Sequence, residues 1–168
     1  MRIALSATTV IQLTKRTEYG LIALVHLADA ALTGRDGAFV SVREIAEHYP
    51  VPKRLLAEVL KDLARAELVE SARGKDGGYT LRRQPDQITL AEVVAALEGR
   101  PSISSCETAE RSPSSSNCGL EPVCPIRSPL HRVREGIWGL MERTTLRSLA
   151  QTSSLVQAGP LLQPKALT

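Results

Sequence analysis

"SVREIAEHYPVPKRLLAEVLKDLARAELVES", residues 41–71, is the stretch from which the fold can be read. Ser41 stands three residues before Glu44, the spacing of a capping box, in which hydroxyl and carboxylate satisfy free amides of the first helical turn. Pro50 limits this helix to about two turns, because proline has no amide proton and its ring clashes with the preceding turn. Pro52 suits the first turn of the next helix, which places Leu55, Leu56, Val59, Leu60 and Leu63 on one face. Lys53, Arg54, Lys61 and Arg65 are left for solvent or a partner. A short capped helix, a sharp turn and a basic amphipathic helix make a helix-turn-helix.

Immediately downstream, "LVESARGKDGGYTL" (68–81) reads as two short strands around Arg73 to Gly77, since Asp76-Gly77 supplies the backbone freedom of a tight hairpin. The predicted fold class is therefore mainly α with a small β-wing: a winged helix-turn-helix. "TLAEVVAALEG" (89–99) repeats the capping-box signal at Thr89 and Glu92 and is ended by Gly99 and Pro101. Upstream, "TEYGLIALVHLADAA" (17–31) offers Leu21, Ile22, Leu24, Val25, Leu27 and Ala28 for burial around most of its circumference, so a largely buried helix is expected. "LTGRDGAF" (32–39) then turns the chain.

From Pro101 to Pro129 the composition shifts to Ser, Pro and Cys without helical or strand period. Beyond it Ser128 and Pro129 form a helix start, and Leu130, Val133, Ile137, Leu140 and Thr144 follow at alternating steps of three and four. Gly136 and Gly139 would permit close backbone approach, while Trp138 and Met141 widen the apolar stripe. Such a seam wants another helix, and a two-fold dimer supplies it economically. The expected organisation is an extension (1–10), a winged helix-turn-helix domain (11–100), a cysteine-containing loop (101–128), a long C-terminal dimerisation helix (129–150) and a tail (151–168).

Composition sets bounds on function. The 168 residues are 43% apolar, enough for a packed core, and the net charge of +3 permits nucleic acid as a partner without demanding it. No stretch approaches the ~18 uninterrupted apolar residues of a membrane span, and the first residues lack a signal-peptide core. The reading is a cytoplasmic protein that uses no membrane. In that compartment disulfides are uncommon, so three cysteines gathered in one segment lean toward a metal or redox site.

On a helix-turn-helix reading, Lys53, Arg54 and Lys61 would meet phosphates or guanine acceptors, and Glu58 could accept from a cytosine amino group. Arg73 and Lys75, on the hairpin loop, would reach phosphates or the minor groove. Each is equally readable as a solvated surface charge. Eleven residues separate Cys106 from Cys118 and five separate Cys118 from Cys124, without the C-x-x-C pairs of zinc ribbons. Spacing alone leaves a metal or cluster site level with unligated, redox-sensing thiols.

"LTKRTEYGLIALVHLA", the helix pair, the wing "RGKDGGYTL", "ITLAEVVAALEG", three cysteines and a long last helix together resemble the Rrf-two family of transcription regulators, over about residues 11–150. The resemblance implies a homodimeric DNA-binding regulator, a repressor without enzyme activity, addressing a roughly palindromic double-stranded operator. It implies an iron-sulfur cluster, two-iron or four-iron, held by Cys106, Cys118 and Cys124 and sensing cluster status, redox state or nitric oxide. Glu18 of the partner subunit is the first choice for a fourth ligand and His131 the second, whereas His26 and His48 are expected to pack or lie on the surface. Leu130, Val133, Ile137 and Leu140 would form the dimer seam. Two alternatives stand beside this: a cluster-free thiol-redox regulator on the same scaffold, and a zinc-stabilised protein-interaction module.

Overall fold

The computed structural model describes residues 12–35, 37–74, 77–100 and 124–151. Helix α1, Lys15–Ala30, is capped by Thr14, whose hydroxyl accepts the Thr17 amide at 3.3 Å. Leu24, Leu27 and Ala28 are buried, with Leu21, Ile22 and Val25 half-buried, so the expected inner helix forms. A widened turn, Ala31–Arg35, ends it, with Gly34 at φ 90° where side chains other than glycine's are strained.

Helix α2, Val42–His48, starts on Ser41, whose hydroxyl accepts the Glu44 amide at 3.0 Å. The anticipated capping box is only half made, because the Glu44 carboxylate turns to Arg35 Nη1 at 2.7 Å. A charge-assisted bond to a guanidinium outcompetes the one to a neutral backbone amide. Helix α3, Lys53–Arg65, buries Leu56, Val59, Leu60 and Leu63 and half-buries Leu55, the face anticipated from their spacing. Pro52 is its cap residue rather than part of its first turn.

Strands β1, Val69–Ala72, and β2, Gly78–Leu81, pair antiparallel with Ser71 opposite Tyr79. Val40 extends this wing: its amide donates to the Tyr79 carbonyl at 2.9 Å, and the Tyr79 amide donates back at 2.8 Å. The paired glycines are explained by that crowding. A Cβ at Gly77 would lie 2.4 Å from the Ala72 carbonyl oxygen, and one at Gly78 only 2.3 Å from that of Val40.

Helix α4, Leu90–Leu97, begins with a complete capping box: Thr89 accepts the Glu92 amide at 3.2 Å, and Glu92 accepts the Thr89 amide at 2.8 Å. Helices α1, α3 and α4 pack around one core. Gly20 lets them approach, since a Cβ there would sit 2.7 Å from Leu97 Cδ1 and 3.1 Å from Val59 Cγ1.

Helix α5, Arg127–Arg143, departs from the sequence reading at both ends. Its cap residue is Ile126, and Ser128 and Pro129 lie inside the first turn, where proline's missing amide forfeits no helical bond. Nor does it run on to residue 150. It stops at Thr144, whose carbonyl accepts the Leu90 amide at 2.8 Å, while the Leu146 amide donates to Ile88 at 3.0 Å. This stitch against the start of α4 turns the chain, so that the helical segment 146–151 drops Leu146 and Ala150, both fully buried, into the core. Burial of those two side chains is the reason a straight helix loses. No described helix is long and apolar enough to cross a membrane.

Candidate DNA interface and sensor residues

Helix α3 and the wing enclose an open groove of about 460 Å³ lined by Lys61, Arg65, Arg73, Ser71 and Tyr79, with Ala72 and Gly78. Lys61 and Arg73 are exposed and form no ion pair with a described residue. Arg65 donates to Asp62 Oδ1 at 2.6 Å. Three cations beside two hydroxyls suit the anionic backbone of a nucleic acid, where most protein–DNA hydrogen bonds go.

The groove brings together Lys61 of α3 and Arg73 of the wing, two cations that the sequence offered separately, and adds Arg65, Ser71 and Tyr79, which it did not single out as contacts. Arg65 lies one turn beyond Lys61, so its i+4 spacing could have revealed it. Ser71 and Tyr79 face each other across the hairpin, and only the strand register identifies them. Lys53 is exposed at the start of α3, whereas Arg54 and Glu58 pair with each other at 3.3 Å on its outer face. Lys75 lies outside the described residues.

Of the sensor residues, Cys124 is a half-exposed free thiol just before α5, and Cys106 and Cys118 lie outside the described residues. Glu18 sits in the first turn of α1, 37% exposed at its side chain, with Lys15 Nζ donating to it at 2.5 Å. His131 is exposed on α5. Among the described residues no three His, Cys, Asp or Glu side chains converge into a metal site. A free thiol and an accessible carboxylate are nevertheless donors of the right chemistry for a soft metal cluster with a fourth ligand.

The flanks of the cysteine segment are anchored. Arg100 lies 4.8 Å above the Trp138 ring and donates to Glu135 at 3.2 Å, so Trp138 is buried against its own chain instead of widening the outward stripe. That stripe is Val133 and Leu140, 52% and 60% exposed, with Leu130 and Ile137 half-buried beside them. A Cβ at Gly136 would meet nothing within 4 Å.

At the base of α1, Arg16 reaches Asp62 of α3 in an ion pair. Farther along the helix, the rings of half-buried His26 and of His48 lie 5.3 Å apart, each against Tyr49, at 5.7 and 4.8 Å respectively. Those two histidines pack α1 against α2, as expected from sequence.

Comparison with known proteins agrees with this architecture. The Rrf2 profile, described as iron-dependent transcriptional regulator, matches residues 13–152. The chain is 30% identical over 153 residues to the HTH-type transcriptional regulator NsrR of Halalkalibacterium halodurans, covering 91% of this chain and 99% of that one. It superposes on CymR, the global cysteine regulator of B. subtilis, with TM-score 0.65 at 25% identity, over 84% of this chain and 98% of that one. T. potens IscR shares the fold, with TM-score 0.66 at 23% identity over 89% and 93% of the two chains. These relatives are regulators rather than enzymes, and the chain belongs to the Rrf2 family of winged-helix transcriptional regulators.

Proposed function

We propose that this chain is a homodimeric repressor whose affinity for a roughly palindromic operator depends on an iron-sulfur cluster. The observation that carries DNA recognition is the cationic groove between α3 and the wing, with Lys61, Arg65 and Arg73 on its walls. Lys53 and Arg54 on the outer face of α3 would meet the major groove, and Lys75 would extend the wing's contact.

Cys106, Cys118 and Cys124 would hold the cluster, with Glu18 of the partner subunit as fourth ligand and His131 as the second choice. When bound, the cluster supplies a group sensitive to oxidants and nitric oxide. The chain's own residues transmit its state. Arg100 on Trp138 ties the start of the cysteine segment to α5, and Glu98 ties the end of α4 to Thr14, one turn from Glu18. A ligand shifts such an equilibrium only by binding one arrangement better, and a carboxylate contributed by the other subunit would provide that difference.

Anaerobic purification with visible absorption, iron and sulfide analysis, and operator titration of loaded and stripped protein tests this reading. Coloured, iron-containing protein whose operator affinity changes on stripping is expected. Colourless, iron-free protein with undiminished, thiol-sensitive operator binding would overturn it. That outcome is the second reading, favoured by the free, half-exposed thiol of Cys124 and the likeness to CymR: a cluster-free switch through sulfenic acid or disulfide.

A further inference from the structure

The groove carries a cation whose availability is set from outside it. Asp62 is pinned between two guanidiniums: Arg16 of α1 pairs with its Oδ2, and Arg65 of α3 donates to its Oδ1 at 2.6 Å. Asp62 is only 22% exposed, and Arg16 is drawn in until its Nε is buried without a hydrogen-bond partner, while Arg65 remains 78% exposed on the groove wall.

We propose that Arg16 is a positioning residue for DNA binding: by neutralising Asp62 from α1, it leaves the charge of Arg65 available for a backbone phosphate in the groove between α3 and the wing. The inference rests on the DNA reading of that groove. One carboxylate cannot neutralise two guanidiniums, so the Arg16–Asp62–Arg65 group keeps one net positive charge, and Arg65 is the member that faces the groove. Without Arg16 the whole Asp62 charge falls on Arg65, three residues away on the same helix, and the local net charge becomes zero. Arg16 also lies two residues from Glu18, so the device joins the base of α1 to the DNA-facing surface without touching DNA itself.

The test is fluorescence anisotropy of the full chain on a labelled, mixed-sequence DNA duplex across a salt series. Each phosphate contact contributes about 0.9 to the slope of log affinity against log salt, which near 0.1 M salt is about eightfold in affinity. Arg16→Ala is expected to lose that much slope and affinity, Arg16→Lys to retain both, and the double variant Arg16→Ala with Asp62→Asn to recover both. Asp62→Asn alone is expected to bind at least as tightly as the parent, and it keeps the idea testable should Arg16→Ala fold poorly. In an Arg65→Ala background, removal of Arg16 should cost clearly less than in the parent, since no groove cation is left for Asp62 to occupy. An undiminished Arg16 effect in that background, or weaker binding by Asp62→Asn, overturns the positioning role alone. An Arg65→Ala variant with parental affinity and slope overturns both that role and the groove as a phosphate site.

Discussion

The Glu98 carboxylate, at the end of α4, receives both the backbone amide and the hydroxyl of Thr14, each at 2.7 Å, so the cap of α1 is itself held by the helix that leads into the cysteine segment. Burial alone would raise the Glu98 carboxyl, but hydrogen bonds from Thr17 and from the Thr14 side chain and amide outweigh it and hold it below the usual carboxylate value. A carboxylate depressed in the folded state stabilises above its unfolded value near 4.5, and that stability is lost as pH falls through the lower folded value. Glu98→Gln is therefore expected to lose only about 0.5 kcal/mol at neutral pH, because the exposed carboxylate is screened by solvent, and to show a shallower acid limb below pH 4.5 than the parent, as read by urea unfolding across pH.

His26 has the opposite sign of dependence to an ordinary salt-bridged histidine. Burial first, and then repulsion from His48 with a smaller push from Arg35, lower its value against the opposing pull of Glu44 and Asp29. The fold favours the neutral ring, so its contribution is complete above about pH 6.5 and is lost as pH falls below that toward the folded value. Thermal melts from pH 7.5 to 5.5 should show a declining Tm that His26→Gln flattens. An unchanged decline in the variant would place the titrating group elsewhere.

Gly78 has no room for a side chain, because the nearest obstacle to a Cβ is the Val40 backbone and not the tip of a flexible group. Gly78→Ala is expected to break the Val40–Tyr79 bridge and cost about 1–3 kcal/mol. Denaturant unfolding measures the loss, and hydrogen exchange at the Val40 and Tyr79 amides should accelerate in step with it.

Val133 and Leu140 are apolar and open to solvent within one subunit, which is costly unless a second copy covers them. Leu140→Glu is expected to yield monomers in sedimentation velocity, with operator affinity reduced at least tenfold because two linked heads become one. Gly136→Ala separates the cases further: in an isolated subunit it should stabilise by up to about 1 kcal/mol through helix propensity. Weakened dimerisation in that variant would show that the two helices approach closely at this point.

Much of the architecture was legible in local pattern. The leucine spacing of α3, Pro50 just after α2 and the Asp76-Gly77 turn signal between the two strands each act within a few residues, where sterics and periodicity leave few choices. The family could be recognised for the same reason, since its motifs are runs of such local signals. The candidate site was legible only as chemistry: three thiols, a carboxylate and a set of cations, with no means of telling which cations share a groove.

Tertiary packing decided what local pattern left open. Glu44 abandoned its cap for Arg35, nine residues away, because a charged partner is stronger than an amide. Trp138 turned inward under Arg100, and the chain broke at Thr144 so that Leu146 could be buried. The sharing of Asp62 between Arg16 and Arg65 depends on α1 lying against α3. Helix period and turn chemistry are settled by neighbours along the chain, whereas the competition of several partners for one buried or charged group is settled only when distant segments meet.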